Sequence, residues 1–149
     1  MIVVREATAA DTGRMGALWC EWAKLDGKED PNVDLWTELE RRGLEEHSLV
    51  AIVAYHSSGK LVGFTDGVIG YEPGTREVFL AGRHLYLTPD ARGRGIGERM
   101  QIRLLALANQ CGAGYMLTHG TPSGHSFEKL FGIPMTPHSQ VRIARWGRK

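Results

Sequence analysis

The chain has 149 residues, 18 Lys and Arg against 17 Asp and Glu, a net charge of +1 and 42% hydrophobic residues. That length suits a single domain, 1–149, around one core, and the near-neutral balance argues against nucleic acid as a partner. No apolar run reaches the roughly 18 residues of a membrane span, and Met1 to Glu6 lacks the basic start and long apolar core of a secretory leader, so a cytoplasmic protein without membrane association is expected.

Ile2 to Arg5 reads as a short β-branched strand. Ala7 to Asp11 offers helix-capping residues, and Met15, Leu18, Trp19, Trp22 and Leu25 then recur at three- and four-residue steps, the spacing of an amphipathic helix. Asp26 to Asn32 is a polar loop containing Gly27 and Pro31. Val33 to Arg42 forms a second helix, with Asn32 as its cap and Gly43 as its stop. Ser48 to Tyr55 and Leu61 to Tyr71 are the two strands of a hairpin around Ser57-Ser58-Gly59-Lys60. After a turn at Glu72-Pro73-Gly74-Thr75, Glu77 to Thr88 is a long strand. A third helix runs from about Gly95 to Cys111, followed by a strand from Gly114 to Thr118. Ser126 to Phe131 reads as a short helix, and Pro134 to Trp146 as a hairpin around Thr136-Pro137-His138. Cys20 and Cys111 show no metal or Cys-x-x-Cys spacing, and His119, His125 and His138 show none for a metal either, so no metal is expected. Two helices, a mixed and mostly antiparallel sheet and a further helix predict an α/β layered fold.

The stretch richest in chemistry is Arg92-Gly93-Arg94-Gly95-Ile96-Gly97, between the strand and the third helix. Glycines let the backbone reach positive φ and approach a ligand closely. The first N–H groups of a helix lack internal acceptors and carry the positive end of its dipole, so a phosphate or pyrophosphate is the natural guest. A P-loop would need Gly-Lys-Ser or Gly-Lys-Thr after four intervening residues, and none occurs. A dinucleotide fingerprint would need Gly-x-Gly-x-x-Gly early in a βαβ unit; Gly93-Arg94-Gly95-Ile96-Gly97 has another spacing and lies in the second half of the chain.

Arg92, Gly95 and Gly97, following Leu85-Tyr86-Leu87-Thr88-Pro89-Asp90-Ala91, match the pattern Arg/Gln-x-x-Gly-x-Gly/Ala after a strand. This resembles motif A of the Gcn5-related N-acetyltransferase (GNAT) family, and the similarity covers roughly residues 48 to 133. The resemblance implies a GNAT-like sheet flanked by helices on both faces and acetyl-CoA as acyl donor. It implies that Leu85 and Leu87, on a strand splayed from its neighbour, pair with the pantetheine arm. It assigns the pyrophosphate to the backbone of Arg92, Gly93, Arg94, Gly95, Ile96 and Gly97. The side chains of Arg92 and Arg94 either bind phosphate or are solvated surface charges. The family's second motif, often Leu-Tyr-x-x-x-Gly-Phe with a tyrosine that protonates the leaving thiolate, reads Phe127 to Ile133 here, with Glu128 in the tyrosine's place. Thr121 is the nearest counterpart of the asparagine that often precedes that motif.

Acyl transfer to an amine needs a base for the ammonium proton and donors for the oxyanion. Candidate bases are Glu77, His84 and His119. Glu77 reads equally as a solvated edge residue, and His119 as a structural loop histidine. His84 faces away from Leu85 and Leu87 in a regular strand, and a bulge would alter that parity; Arg83 is then a substrate-facing alternative. The acids Asp26, Glu29, Asp30, Asp34, Glu38, Glu40 and Glu45 would give the acceptor site a wall attractive to a cationic amine, or a solvated helix face. The expected activity is direct acetylation of a primary amine on a small molecule or peptide. Two alternatives stay open: a non-catalytic acyl-CoA-binding module, and modification of a protein or nucleic acid, to which the basic residues Arg142, Arg145, Arg148 and Lys149 point. Exposed edges of the final strands allow a homodimer.

Overall fold

A computed structural model describes residues 1–117 and 140–142. The short helix read at Ser126 to Phe131, the turn at Thr136-Pro137-His138, and His119, Thr121, His125 and Glu128 lie outside the described residues.

The chain forms β1 (Ile2–Glu6), α1 (Thr12–Leu25), α2 (Val33–Glu45), β2 (Leu49–His56), β3 (Leu61–Glu72), β4 (Glu77–Leu87), α3 (Ile96–Gln110), β5 (Ala113–Leu117) and β6 (Gln140–Arg142), with 3-10 turns at Ala9–Asp11 and Pro89–Ala91. They build a six-stranded sheet in the order β1-β2-β3-β4-β5-β6. All neighbours are antiparallel except β4 and β5, which are parallel. A parallel pair needs a crossover connection, and α3 supplies it. The mixed, mostly antiparallel sheet expected from the sequence is therefore present. Among the described residues no helix is long and apolar enough to cross a membrane.

Both faces of the sheet are covered. On one, Ile96, Met100, Leu104, Leu105 and Ala108 of α3 pack on Val50, Ile52, Ala54, Val62 and Leu80. On the other, Met15, Leu18, Trp19 and Trp22 of α1 and Trp36 and Leu44 of α2 pack on Leu49, Ala51, Val53, Phe64 and Tyr86. β2 is buried on both sides, so its run Leu49 to Tyr55 is continuously apolar rather than alternating.

One helix detail matches the expectation and two differ. The side chain of Asn32 caps α2 by accepting from the Leu35 amide at 3.1 Å, as read from the sequence. Gly43 does not end the helix, which continues to Glu45. Gly43 serves close packing instead: a Cβ there would lie 2.8 Å from the Leu49 Cβ. His47, at φ 60°, makes the left-handed exit that glycine usually provides. Leu25, the last residue of α1, is 79% exposed and does not join the helix's buried face.

Candidate active site

The glycine loop joins β4 to α3. Gly93 and Gly95 have φ of 75° and 74°, the left-handed region that costs other residues most. A Cβ at either position would meet no atom within 4 Å, so backbone conformation rather than internal packing selects glycine, and the space above the loop is open. Gly95 is the N-cap of α3 and no side chain caps it. The amides of Gly93, Arg94, Gly95, Ile96 and Gly97 have no acceptor among the described residues. Arg92 differs: its amide bonds to the Pro89 carbonyl at 3.4 Å, and its Nε donates to the Leu87 carbonyl at 3.1 Å. Its guanidinium also lies 5.9 Å from the centre of the Tyr86 ring. Arg92 thus clips the loop to the strand, whereas Arg94 is exposed at the loop's crest.

β5 pairs with β4 only from Val78 to Ala81. From Gly82 to Leu87, β4 keeps β3 on one side and has no second neighbour among the described residues. The amides of His84 and Thr88 point toward β3, bonding Asp66 Oδ1 at 3.0 Å and the Val62 carbonyl at 2.8 Å. Alternation along the strand turns the amides of Leu85 and Leu87 to the open edge. The open edge and the loop amides make one path of donors, which fits an extended amide-containing ligand that ends in phosphates.

A β-bulge sits at the start of that open edge. Asp66 pairs with His84 and Gly67 with Gly82, leaving Arg83 as the extra residue of β4. Two consecutive side chains therefore face α1 and α2. Arg83 Nη2 lies 3.4 Å from Glu40 Oε2 and 3.6 Å from Asp66 Oδ2. The ring of His84 lies 5.9 Å from Trp36 and 6.1 Å from both Trp22 and Phe64, centre to centre. Because the bulge falls one residue before His84, the imidazole still faces away from Leu85 and Leu87, which pack on the α3 side.

His84 Nδ1 lies 2.8 Å from Asp66 Oδ1. Asp66 is fully buried, and its carboxylate can only accept, so Nδ1 carries the hydrogen of this bond and Nε2 lies on the other side of the ring. Burial opposes the Asp66 charge, but hydrogen bonds from Glu40 and His84, with Arg83 adding positive charge nearby, outweigh it and hold the carboxyl at about 2. Glu40, 1% exposed, moves the other way: burial first, then its bond to Asp66, pushes its carboxyl up to about 10. As two carboxylates, Glu40 Oε1 and Asp66 Oδ2 are buried without a hydrogen-bond partner among the described residues, and one proton shared between the two groups satisfies both.

The structure brings together His84 and the loop's strand, but not Glu77. Glu77 pairs with Glu72 at the far end of β4, seven residues before His84 and thus about 23 Å along the strand. The acidic wall read on the first two helices is thinner than expected. Glu38 is bonded to Arg41 and Arg42, Glu45 is bonded to Arg41, and Glu40 points into the core; Asp26, Glu29, Asp30 and Asp34 remain exposed. Sequence reasoning missed Asp66 and the roles of Trp22, Trp36 and Glu40 around the imidazole. A lone acid two residues from both Phe64 and Val68 in a strand was the available sign of Asp66. Trp36, Glu40 and Leu44 at four-residue steps showed that Glu40 shares the apolar face of its helix.

A family model described as "Acetyltransferase (GNAT) family" matches residues 15–133. No curated protein matches the chain. Among solved structures, a predicted acetyltransferase from Clostridium acetobutylicum, crystallised with acetyl-CoA, superposes with a TM-score of 0.75 at 20% identity, covering 91% of this chain and 92% of its own. Ribosomal-protein-alanine N-acetyltransferase from Brucella melitensis biovar Abortus gives 0.68 at 20% identity, over 91% and 92%. An aminoglycoside acetyltransferase from an uncultured soil metagenomic sample gives 0.72 at 17% identity, over 95% and 97%.

Proposed function

The chain belongs to the acetyltransferase (GNAT) family, and we propose that it moves the acetyl group of acetyl-CoA directly to a primary amine of a small molecule or peptide. It is an acetyl-CoA-dependent acyltransferase; the amine class and the residues below are our reading. When bound, acetyl-CoA supplies an acetyl thioester. The amides of Gly93 to Gly97 and the side chain of Arg94 hold the pyrophosphate, and the open edge at Leu85 and Leu87 receives the amide-bearing arm. His84 Nε2 takes the ammonium proton, directly or through one water, so that the amine lone pair is free. Asp66 fixes the ring's tautomer and supports the imidazolium that results. Trp22, Trp36 and Phe64 shield this exchange from bulk water, and a ring face also favours an approaching cation.

The observation that carries this reading is the 2.8 Å bond between His84 Nδ1 and Asp66 Oδ1 beside the edge of β4 that has no partner among the described residues. It is tested by titrating wild type and Gly95→Trp with acetyl-CoA, then following CoA thiol release with an aminoglycoside, a linear polyamine and a peptide starting with alanine. Binding lost in Gly95→Trp, and turnover with at least one amine that His84→Gln lacks, is expected. Acetyl-CoA binding unchanged by Gly95→Trp, or full activity in His84→Gln, overturns the corresponding half. Turnover confined to the peptide narrows the acceptor to the peptide class.

A further inference from the structure

We propose that Glu40 is a positioning residue for His84, donating a hydrogen bond to Asp66 from α2 and thereby keeping the other oxygen of Asp66 committed to the imidazole. The proposal rests on the reading of His84 as the base.

Asp66 is itself fully buried and has two oxygens to place. Oδ1 accepts from the His84 amide at 3.0 Å and from His84 Nδ1 at 2.8 Å. Oδ2 has no hydrogen-bond donor unless Glu40 provides one, since the nearest Arg83 nitrogen is 3.6 Å away. Were Glu40 ionised, two carboxylates that are 1% and 0% exposed would share one guanidinium, and repulsion would turn Asp66 away from the imidazole. A protonated Glu40 changes the arithmetic to one anion facing Arg83 and His84. Glu40 Oε2 meanwhile faces Arg83 Nη2 at 3.4 Å, so the same side chain spans the bulge residue and the acid behind the base.

The charged groups acting on Glu40 among the described residues are Asp66 from β3 and Arg83 from β4. The same face carries apolar side chains, Met15, Leu18, Trp19 and Trp22 from α1 and Leu49, Ala51 and Val53 from β2, together with Tyr55, whose hydroxyl bonds Asp11. Glu40 is 1% exposed and reaches His84 through Asp66 and, on the other side, through Arg83.

The test uses the full chain labelled with 15N-histidine, without ligand, in long-range 1H–15N spectra, with His84 assigned by its loss in His84→Gln. At pH 8 wild type is expected to show His84 in the single Nδ1–H tautomer, Glu40→Gln to keep it through its amide donor, and Glu40→Leu to show mixed tautomers. In the amine assay Glu40→Leu should lower kcat at unchanged KM for acetyl-CoA, with rescue in Glu40→Gln. A wild-type tautomer in Glu40→Leu overturns the proposal. If Glu40→Leu does not fold, the alkaline range decides. Wild type should lose the single tautomer as Glu40 ionises and Glu40→Gln should not; the same loss in both overturns the proposal. Full activity in His84→Gln would instead refute the base assignment and leave the tautomer result standing.

Discussion

A proton held on Glu40 in the folded chain fixes the sign and the slope of stability against pH. The ordinary value of this carboxyl is 4.5, and burial with the bond to Asp66 raises it to about 10. Between those limits the unfolded chain has lost the proton and the folded chain keeps it, so folding takes up one proton. Stability is therefore complete below about pH 4.5 and declines as pH rises toward about 10. One proton gives a slope of about 1.4 kcal/mol per pH unit, or about 3 kcal/mol between pH 6 and 8. For a chain of this length that is roughly 3–5 °C in Tm per pH unit. Asp66 does not offset it in this window: held at about 2 against an ordinary 3.8, it is ionised in both states above about pH 5. Other groups titrate too, so the decisive quantity is the difference between wild type and Glu40→Gln, which retains the donor without the proton. Urea unfolding followed by circular dichroism at pH 5.5, 6.5, 7.5 and 8.5 should show the variant gaining on wild type at each step. Parallel curves for the two proteins would refute the shared proton.

Gly95→Ala meets no atom, so its folding cost is that of a left-handed alanine, about 1–2 kcal/mol. Acetyl-CoA affinity should fall further, roughly ten- to a hundredfold if one amide–phosphate bond is lost, and calorimetric titration checks this. His84→Gln should leave acetyl-CoA affinity unchanged while kcat/KM for the amine falls by roughly a hundred- to ten-thousandfold, read by thiol release. Asp11 receives Arg5 at 2.8 and 2.9 Å, the Tyr55 hydroxyl at 2.8 Å and the Thr8 amide at 2.8 Å. Burial opposes its charge, but these bonds hold it at about 2, so its contribution is present above about pH 4 and fades as pH falls toward 2. Asp11→Asn should cost about 1–3 kcal/mol at pH 7, and the gap to wild type should narrow at pH 3 in the same urea assay.

The parts of the site legible in the sequence are those whose cause is local. A glycine at positive φ before a helix start announces itself within six residues, and so the loop from Arg92 to Gly97 was readable without its surroundings. Asn32 was readable for the same reason, since a cap acts three residues ahead. Gly43 was misread because its cause is distant: Leu49 packs on it, and packing outweighs the glycine's tendency to end a helix. Asp66 was passed over because its meaning lies 18 residues away, on the strand that pairs with it. Glu40 was counted with the acids of a solvated wall, although its four-residue spacing from Trp36 and Leu44 placed it on the buried face. Charge was visible in the sequence; the side of the helix on which it fell carried the information.

Three departures from stable packing meet within a few residues of β4: an extra residue at Arg83, a buried acid pair at Glu40 and Asp66, and an edge from Gly82 to Leu87 that is unpaired among the described residues. None of them is explained by stability. A bulge interrupts the hydrogen-bond ladder. Apolar replacements of a buried ionic group are often neutral or stabilising, so a fold selected for stability alone would carry valine or leucine at position 66. An open edge leaves backbone donors without partners. Taken together they have one geometric consequence. The edge turns amides toward the space beside the strand, the bulge sets Arg83 and His84 on the same face, and the acid pair orients the imidazole with Nε2 outward. Each departure is idle without the other two: donors without a base bind but do not react, and a base without a fixed tautomer presents the wrong nitrogen. On the function proposed above, the chemistry falls at residues 82–87 and the elements behind them, with Glu77 at the other end of the strand.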